Sequence, residues 1–324
     1  MQAEHPVVKM VNAWGAQGRP FLFLVDFELQ HPRLFALEDL KQADILIQFP
    51  NYTNSSAEVI REKEIHLQKQ AVARSRYQEA FEIVFNELHY GNSFLTNLTM
   101  ATPVQFNASL TEIYHRAKAR YKICYRDEWL CFSPETFVTI QDGYIRSCPM
   151  KGTIDAALPD AAQIILNDAK EKAEHFTIVD LIRNDLSQMA KHVEVDAFRY
   201  IDKLHTSSKD LLQVSSSIRG QLPDSWRQEL GDLLWKLLPA GSVSGAPKRK
   251  TLEIIRKAEK EPRGFYTGVA FYFDGENLDS CVLIRFIEKQ DSGYFYRSGG
   301  GITTQSKVDT EYQELIDKIY VPIS

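Results

Sequence analysis

YKICYRDEWLCFSPETFVTIQDGYIRSC, residues 121–148, decides the fold. Its first half holds two short apolar runs, Tyr121–Tyr125 and Trp129–Ser133, around Arg126-Asp127-Glu128. Its second half sets Phe137–Ile140 and Tyr144–Cys148 on either side of Gln141-Asp142-Gly143. Asp-Gly between two such runs is a hairpin signal. Strands joined by hairpins are antiparallel, because parallel neighbours need a long crossover. Working outward, the last third repeats the pattern: FYTGVAFYF (265–273), a turn at Asp274-Gly275, LDSCVLIRFIE (278–288), a turn at Asp291–Gly293, then GYFYRS (293–298). Residues 21–27 also read as a strand. Helical spacing is expected over 57–90, with a charged face at Glu58, Arg61, Glu62, Lys63 and Glu64, after a loop from Pro50 to Ser56. Further helices are expected from Pro159 onward through Ile164, Ile165, Ala169, Ala173 and Phe176, over 251–260, and over 309–320. The fold class is therefore α/β of the α+β kind: largely antiparallel sheets packed with helices on the outside. A doubly wound parallel fold is excluded, and the G-x-G-x-x-G turn of dinucleotide binders is absent.

The chain has 324 residues, enough for about two domains or one large one. A formal net charge of −5 argues against a dedicated nucleic-acid binder. No Cys-x-x-Cys pair occurs among the four cysteines, which removes zinc-ribbon and thioredoxin readings. The N-terminus has no apolar signal region, and the Phe21–Phe27 run, broken by Asp26, falls far short of the ~20 residues of a membrane span. A cytoplasmic protein with free thiols and no membrane partner is the expectation.

Several residues are chemical candidates. Glu171 and Glu174 are three apart, as are Glu311 and Glu314, so each pair shares a helix face. Four carboxylates on two helices offer oxygen ligands to a hard cation such as Mg²⁺, although solvated glutamates have the same spacing. Lys151, in Pro149-Met150-Lys151-Gly152-Thr153, follows a strand and becomes a nucleophile only if its pKa falls from about 10.4. As a surface loop lysine it would do nothing. Glu135, in Ser133-Pro134-Glu135, is a general acid if its environment raises its pKa, and otherwise a turn residue. The loop Gly241–Lys248 lacks the Walker Gly-Lys-Ser/Thr order, which excludes an NTPase, but its amides could meet an anion at the next helix. Gly299-Gly300-Gly301 at a strand end could form an anion nest or a plain turn. Arg285 interrupts the apolar run Cys281–Ile287, and alternation sets it with Leu283 opposite Val282, Ile284 and Phe286. A half-buried arginine there wants an anion. Tyr266 and Lys318 are uninformative on their own.

Taken in order, SPETF (133–137), PMKGT (149–153), KEKAEHFTIVDLIRNDL (170–186), LPAGSVSGAPK (238–248), FYTGVAFYFDG (265–275), VLIRF (282–286) and SGGGITTQSKVDTEYQELIDK (298–318) closely resemble the chorismate-utilising enzymes. The resemblance runs from about residue 120 to the C-terminus. It implies one chorismate-binding catalytic unit over 1–324, with 1–115 a shortened N-terminal part and 116–324 the core. In this family anthranilate synthases tend to carry Ala before the Gly-Thr, and aminodeoxychorismate synthases tend to carry Lys, as at Lys151. The resemblance thus points to the aminodeoxychorismate synthase branch, in the 4-aminobenzoate and folate route. Anthranilate synthase and a catalytically silent chorismate-binding subunit are the alternatives. It further implies Mg²⁺ at Glu174 and Glu314 with Glu171 and Glu311 close by, Lys151 as nucleophile and Glu135 as acid. The substrate would be lined by Gly152, Thr153, Tyr266, Arg285, Gly299, Gly300, Gly301 and Lys318. Ammonia would come from a separate glutamine amidotransferase subunit, because no nucleophile elbow of a glutaminase is present. Two departures stand out. Gln213 replaces a substrate-facing family histidine, and Cys148 stands where arginine is common.

Overall fold

The computed structural model describes residues 5–56, 64–205 and 210–323, apart from the side chains of Lys151, Lys170, Leu204 and His205. Among these residues the strands form two nine-stranded sheets, and every paired neighbour runs antiparallel. The first sheet runs Met150–Asp155, Asp210–Gln221, Tyr144–Ser147, Thr139–Gln141, Leu278–Val282, Val269–Phe273, Phe21–Val25 and Arg33–Ala36, with Lys191–His205 on the other side of Asp210–Gln221. The second runs Gly245–Ala246, Leu95–Phe106, Gly293–Ile302, Phe286–Gln290, Trp129–Ser133, Tyr121–Tyr125, Ile45–Phe49 and Tyr52–Thr53, with Leu67–Lys69 also on Leu95–Phe106. Both hairpins of the opening stretch form, but in different sheets. Tyr121 faces Ser133 in the second, and Tyr144 faces Gln141 in the first.

The layers follow from alternation. Phe21, Phe23 and Val25 point to a core shared with Val269, Phe271, Phe273 and the helices Pro6–Ala16, Ala169–Leu186 and Leu230–Leu237. Leu22 and Leu24 point the other way, to Ile45, Ile47, Tyr121, Ile123 and Trp129 of the second sheet. Both faces of that strand are buried, so FLFLV reads as an unbroken apolar run. The outer face of the second sheet is covered by Arg74–His89, Leu110–Arg116, Lys248–Glu259 and Val308–Asp317. Helices therefore flank two facing sheets, as the pattern implied. The N-terminal third contributes strands to the interior of both.

Four local expectations change. The spacing predicts a helix over 57–90, but Leu67–Lys69 is a strand paired with Leu95–Phe106, and the helix is Arg74–His89. Helix begins where Tyr77, Ala80, Phe81, Val84 and Leu88 repeat at three and four and bury. Residues 57–63, with Glu58, Arg61, Glu62 and Lys63, lie outside the described residues. The loop Pro50–Ser56 contains the short strand Tyr52–Thr53. The segment after Pro159 is two helices, Ala161–Asn167 and Ala169–Leu186, because Asp168 turns extended and caps the second by accepting from the Glu171 N–H at 2.8 Å. Ile165 is buried there, while Ile164 and Phe176 are exposed. Lastly, the run 278–288 is two strands in different sheets: it breaks at Leu283–Arg285, where Arg285 takes φ 54°. The apolar pattern runs through because both halves are buried.

Candidate active site

The strand carrying Lys151 pairs with Asp210–Gln221, with Lys151 opposite Val214 and Thr153 opposite Gln213. The register shifts between Lys151 and Thr153, where Gly152 takes φ 73°. Glycine is needed twice over: for that backbone, and because a Cβ would stand 3.1 Å from Glu171 Oε2. Glu171 lies in the first turn of Ala169–Leu186, where a negative charge suits the helix dipole. One turn further on, Glu174 is buried. The side chain of Lys151 is outside the description, and Thr153 is exposed.

The second acidic pair sits over the glycine run. Gly299, Gly300 and Gly301 are not a turn or a nest. They continue the strand Gly293–Ile302, opposite Thr99, Leu98 and Asn97. A Cβ on Gly300 would stand 3.2 Å from Glu314 Oε1 and 3.6 Å from Glu311 Oε2, so the missing side chain is the room the two carboxylates use. Lys318 Nζ, one turn beyond Glu314, ion-pairs with Glu314 at 2.5 Å and donates to the Gly299 carbonyl at 2.8 Å. The structure thus brings Glu311, Glu314, Lys318, Gly299 and Gly300 together.

Among the described residues no group of three or more His, Cys, Asp or Glu is placed to hold a metal. The donors on offer are carboxylate oxygens, which suit a hard cation. Mg²⁺ keeps several waters and needs only one or two carboxylates, so paired glutamates such as Glu311 and Glu314 fit such an ion. Glu174 and Glu311 are both buried, at 7% and 3% exposure.

Glu135 belongs to a third group. Ser242 Oγ donates to Glu135 Oε1 at 2.6 Å. Both line a cavity of about 60 Å³, together with Cys148, Met150, Asp185 and Gly241. That volume holds a few waters. Burial raises the Asp185 pKa, and the Lys248 ammonium, 2.8 Å away, opposes the rise. Burial likewise pushes the Cys148 thiol up. Met150 joins this cavity to the Lys151 strand.

Arg285 stands at the crossing between sheets. Its Nε donates to the Tyr320 hydroxyl at 3.4 Å, and among the described residues it forms no ion pair with a carboxylate. Tyr266 is buried nearby, with its ring centroid 6.0 Å from that of Phe286, and its phenol is pushed up to about 12, chiefly by burial.

The sequence reading missed three partnerships. Ser242 bonds Glu135, Lys248 bonds Asp185, and Arg263 bonds Glu259 in a nearly waterless network. The loop Gly241–Lys248 thus commits Ser242 and Lys248 to the protein's own carboxylates. Its Gly/Ser/Pro content and Lys248 were the visible signal. Glu259 and Arg263, four apart, look like an ordinary surface helix pair.

Comparison with known proteins joins these parts. Residues 24–324 match the family described as chorismate binding enzyme, about a hundred residues further toward the N-terminus than the motifs alone reach. An uncharacterised PabA-like protein of Pasteurella multocida is 46% identical over 320 residues, which covers 98% of this chain and 99% of that protein. Aminodeoxychorismate synthase component 1 of Escherichia coli is 31% identical over 268 residues, 76% of this chain and 57% of that relative. The aligned part thus spans little more than half the length of that longer enzyme. Among solved structures, the menaquinone-specific isochorismate synthase MenF of Escherichia coli has a TM-score of 0.73 at 18% identity, covering 96% of this chain and 80% of that one, and so shares the fold. Sequence match, fold and the ordered motifs agree: this chain belongs to the chorismate-binding enzyme family.

Proposed function

We propose that the chain acts as component I of aminodeoxychorismate synthase, converting chorismate and ammonia to 4-amino-4-deoxychorismate. The observation that carries this reading is that two motif glycines, Gly152 and Gly300, each lie directly against motif glutamates, the first beside Lys151 and the second beside Lys318. The similarity to aminodeoxychorismate synthase component 1 of Escherichia coli and the lysine at 151 favour this branch over anthranilate synthase.

In this reading the Lys151 amine adds to ring carbon 2, the ring double bonds shift, and the carbon 4–oxygen bond breaks. Glu135 gives its proton to the departing hydroxyl, which leaves as water. Ammonia then adds at carbon 4 and the lysine departs, so one hard substitution becomes two easier ones. Glu171, Glu174, Glu311 and Glu314 would hold Mg²⁺, which when bound neutralises and orients a substrate carboxylate. Arg285, with Tyr266 near it, would take the other carboxylate. Gly152, Thr153, the glycine run and Lys318 would line the ring. Ammonia would arrive from a glutamine amidotransferase partner, and the cytoplasm supplies the free thiols' reducing surroundings.

The test is a product assay with chorismate, Mg²⁺ and ammonium. A product that a separate lyase converts to 4-aminobenzoate supports the reading. Fluorescent anthranilate makes the protein an anthranilate synthase, and isochorismate or salicylate places it with the water-using relatives. Binding of chorismate without turnover, even with an amidotransferase present, makes it a silent subunit. Lys151→Ala should lower product formation at least ~100-fold while chorismate binding persists. Unchanged turnover would remove the lysine adduct from the scheme.

A further inference from the structure

We infer that Ser242 is a positioning residue for Glu135, holding one carboxylate oxygen so that the other carries the proton to the leaving group. This rests on the proposed role of Glu135 as the acid. The Ser242 Oγ to Glu135 Oε1 bond is 2.6 Å, and among the described residues no other side chain bonds that carboxylate. The remaining anchors of Glu135 are on its backbone: its N–H donates to Ser133 Oγ at 3.0 Å, and its carbonyl accepts from the Val282 N–H at 3.1 Å. Without Ser242 the main chain would stay in place and the carboxylate would turn.

Ser242 can hold because its own loop is tied on both sides. It sits within the short 3-10 turn Gly241–Val243. The Val243 carbonyl accepts from the buried Arg263 Nη1 at 2.7 Å. The Ser244 carbonyl accepts from the Asn97 N–H at 2.9 Å, and Ser244 Oγ donates to the Ala240 carbonyl at 2.9 Å. Further on, Lys248 Nζ donates to Asp185 Oδ2 at 2.8 Å and to the Leu237 carbonyl at 3.0 Å. The hydroxyl is therefore oriented before any substrate arrives, and little entropy is lost in using it.

The chemistry is consistent. As the carbon–oxygen bond breaks, its electron pair goes to oxygen, the Glu135 proton follows, and Glu135 is left as a carboxylate. The hydroxyl that donates to Oε1 then stabilises that anion.

The experiment compares wild type, Ser242→Ala and Ser242→Thr by product formation from chorismate with Mg²⁺ and ammonium, across pH. Expected for Ser242→Ala is a kcat about 10- to 100-fold lower, the range for a lost hydrogen bond to a charged group. KM should stay within about twofold, the alkaline limb of the pH–rate profile should move to higher pH, and melting should be unchanged. Ser242→Thr, which keeps the hydroxyl, should restore both rate and profile. An active wild type whose Ser242→Ala variant keeps its kcat and pH profile overturns the inference alone. So does a Ser242→Ala defect that Ser242→Thr does not repair, because that is loss of packing. A wild type that makes no product from chorismate overturns the proposed function and this inference together.

Discussion

Arg263 and Arg285 are both arginines at the junction of the two sheets, and they live opposite lives. Arg263 spends five donor bonds on the protein: two to Glu259 at 2.9 and 2.6 Å, and others to Val243, Asn97 and Thr267 at 2.7, 2.8 and 3.3 Å. Its side chain is 1% exposed and that of Glu259 is 4% exposed. Glu259 also accepts from Thr99 N and Oγ1 at 2.8 and 3.0 Å. Among the described residues, Arg285 makes one long side-chain bond, to a tyrosine hydroxyl. A saturated guanidinium is a fastener, since breaking a buried pair strands a charge. A guanidinium with open donors can still receive an anion.

The sharpest way to break this contrast is Arg263→Met. It leaves the Glu259 carboxylate buried without its cation and should cost about 3–5 kcal/mol in urea unfolding. A loss below about 1 kcal/mol would show that the network is not a clamp. Arg285→Gln should leave unfolding within about 1 kcal/mol of wild type, yet weaken chorismate binding about 10- to 100-fold by calorimetry, under the proposed function. Equal chorismate affinity would remove the receptor role. The double variant Glu259→Leu with Arg263→Met should regain about 2 kcal/mol of the Arg263→Met loss, because a well-packed apolar pair avoids the stranded charge. No recovery would mean that the bonds to Val243 and Asn97 matter more than the charge.

Tyr266 feels both arginines and gives the smallest effect. Its phenol is pushed up to about 12, mainly by burial, against about 10 in an unfolded chain. Native protein therefore holds a proton that unfolded protein releases between those values. The tyrosine's share of stability is whole below pH ~10 and is lost as pH climbs toward ~12. Tyr266→Phe should lose roughly 1 kcal/mol less than wild type between pH ~8 and ~11. Identical alkaline slopes would show that the hydroxyl is not held neutral by the fold.

What could be read from the chain follows from how far each signal reaches. Local signals sufficed for the hairpins, where period-two runs meet Asp142-Gly143 at φ 53° and 76°. They sufficed for Glu311 and Glu314, which one helix turn brings together. They failed where burial is two-sided: nothing in Cys281–Ile287 marks the break at Arg285, because apolar residues serve either sheet. They failed for the glycine run, whose purpose is set by a helix that comes later in the chain. Leu67–Lys69 was hidden because its pairing partner, not its own composition, makes it a strand. Ser242 with Glu135 and Lys248 with Asp185 lie 107 and 63 residues apart, so no spacing rule could join them. Spacing alone left Lys151, Glu135 and the four glutamates with a bland alternative each, and the roles proposed for them come from the resemblance.

The change of sheets at Leu283–Arg285 has a mechanical side. The residues before it belong to one layer and those after it to the other, so the arginine sits where the chain passes between two plates. An anion held there, and also by groups on either plate, would rivet the layers to each other. Under the proposed function, bound chorismate should then raise the melting temperature of the entire molecule in one step.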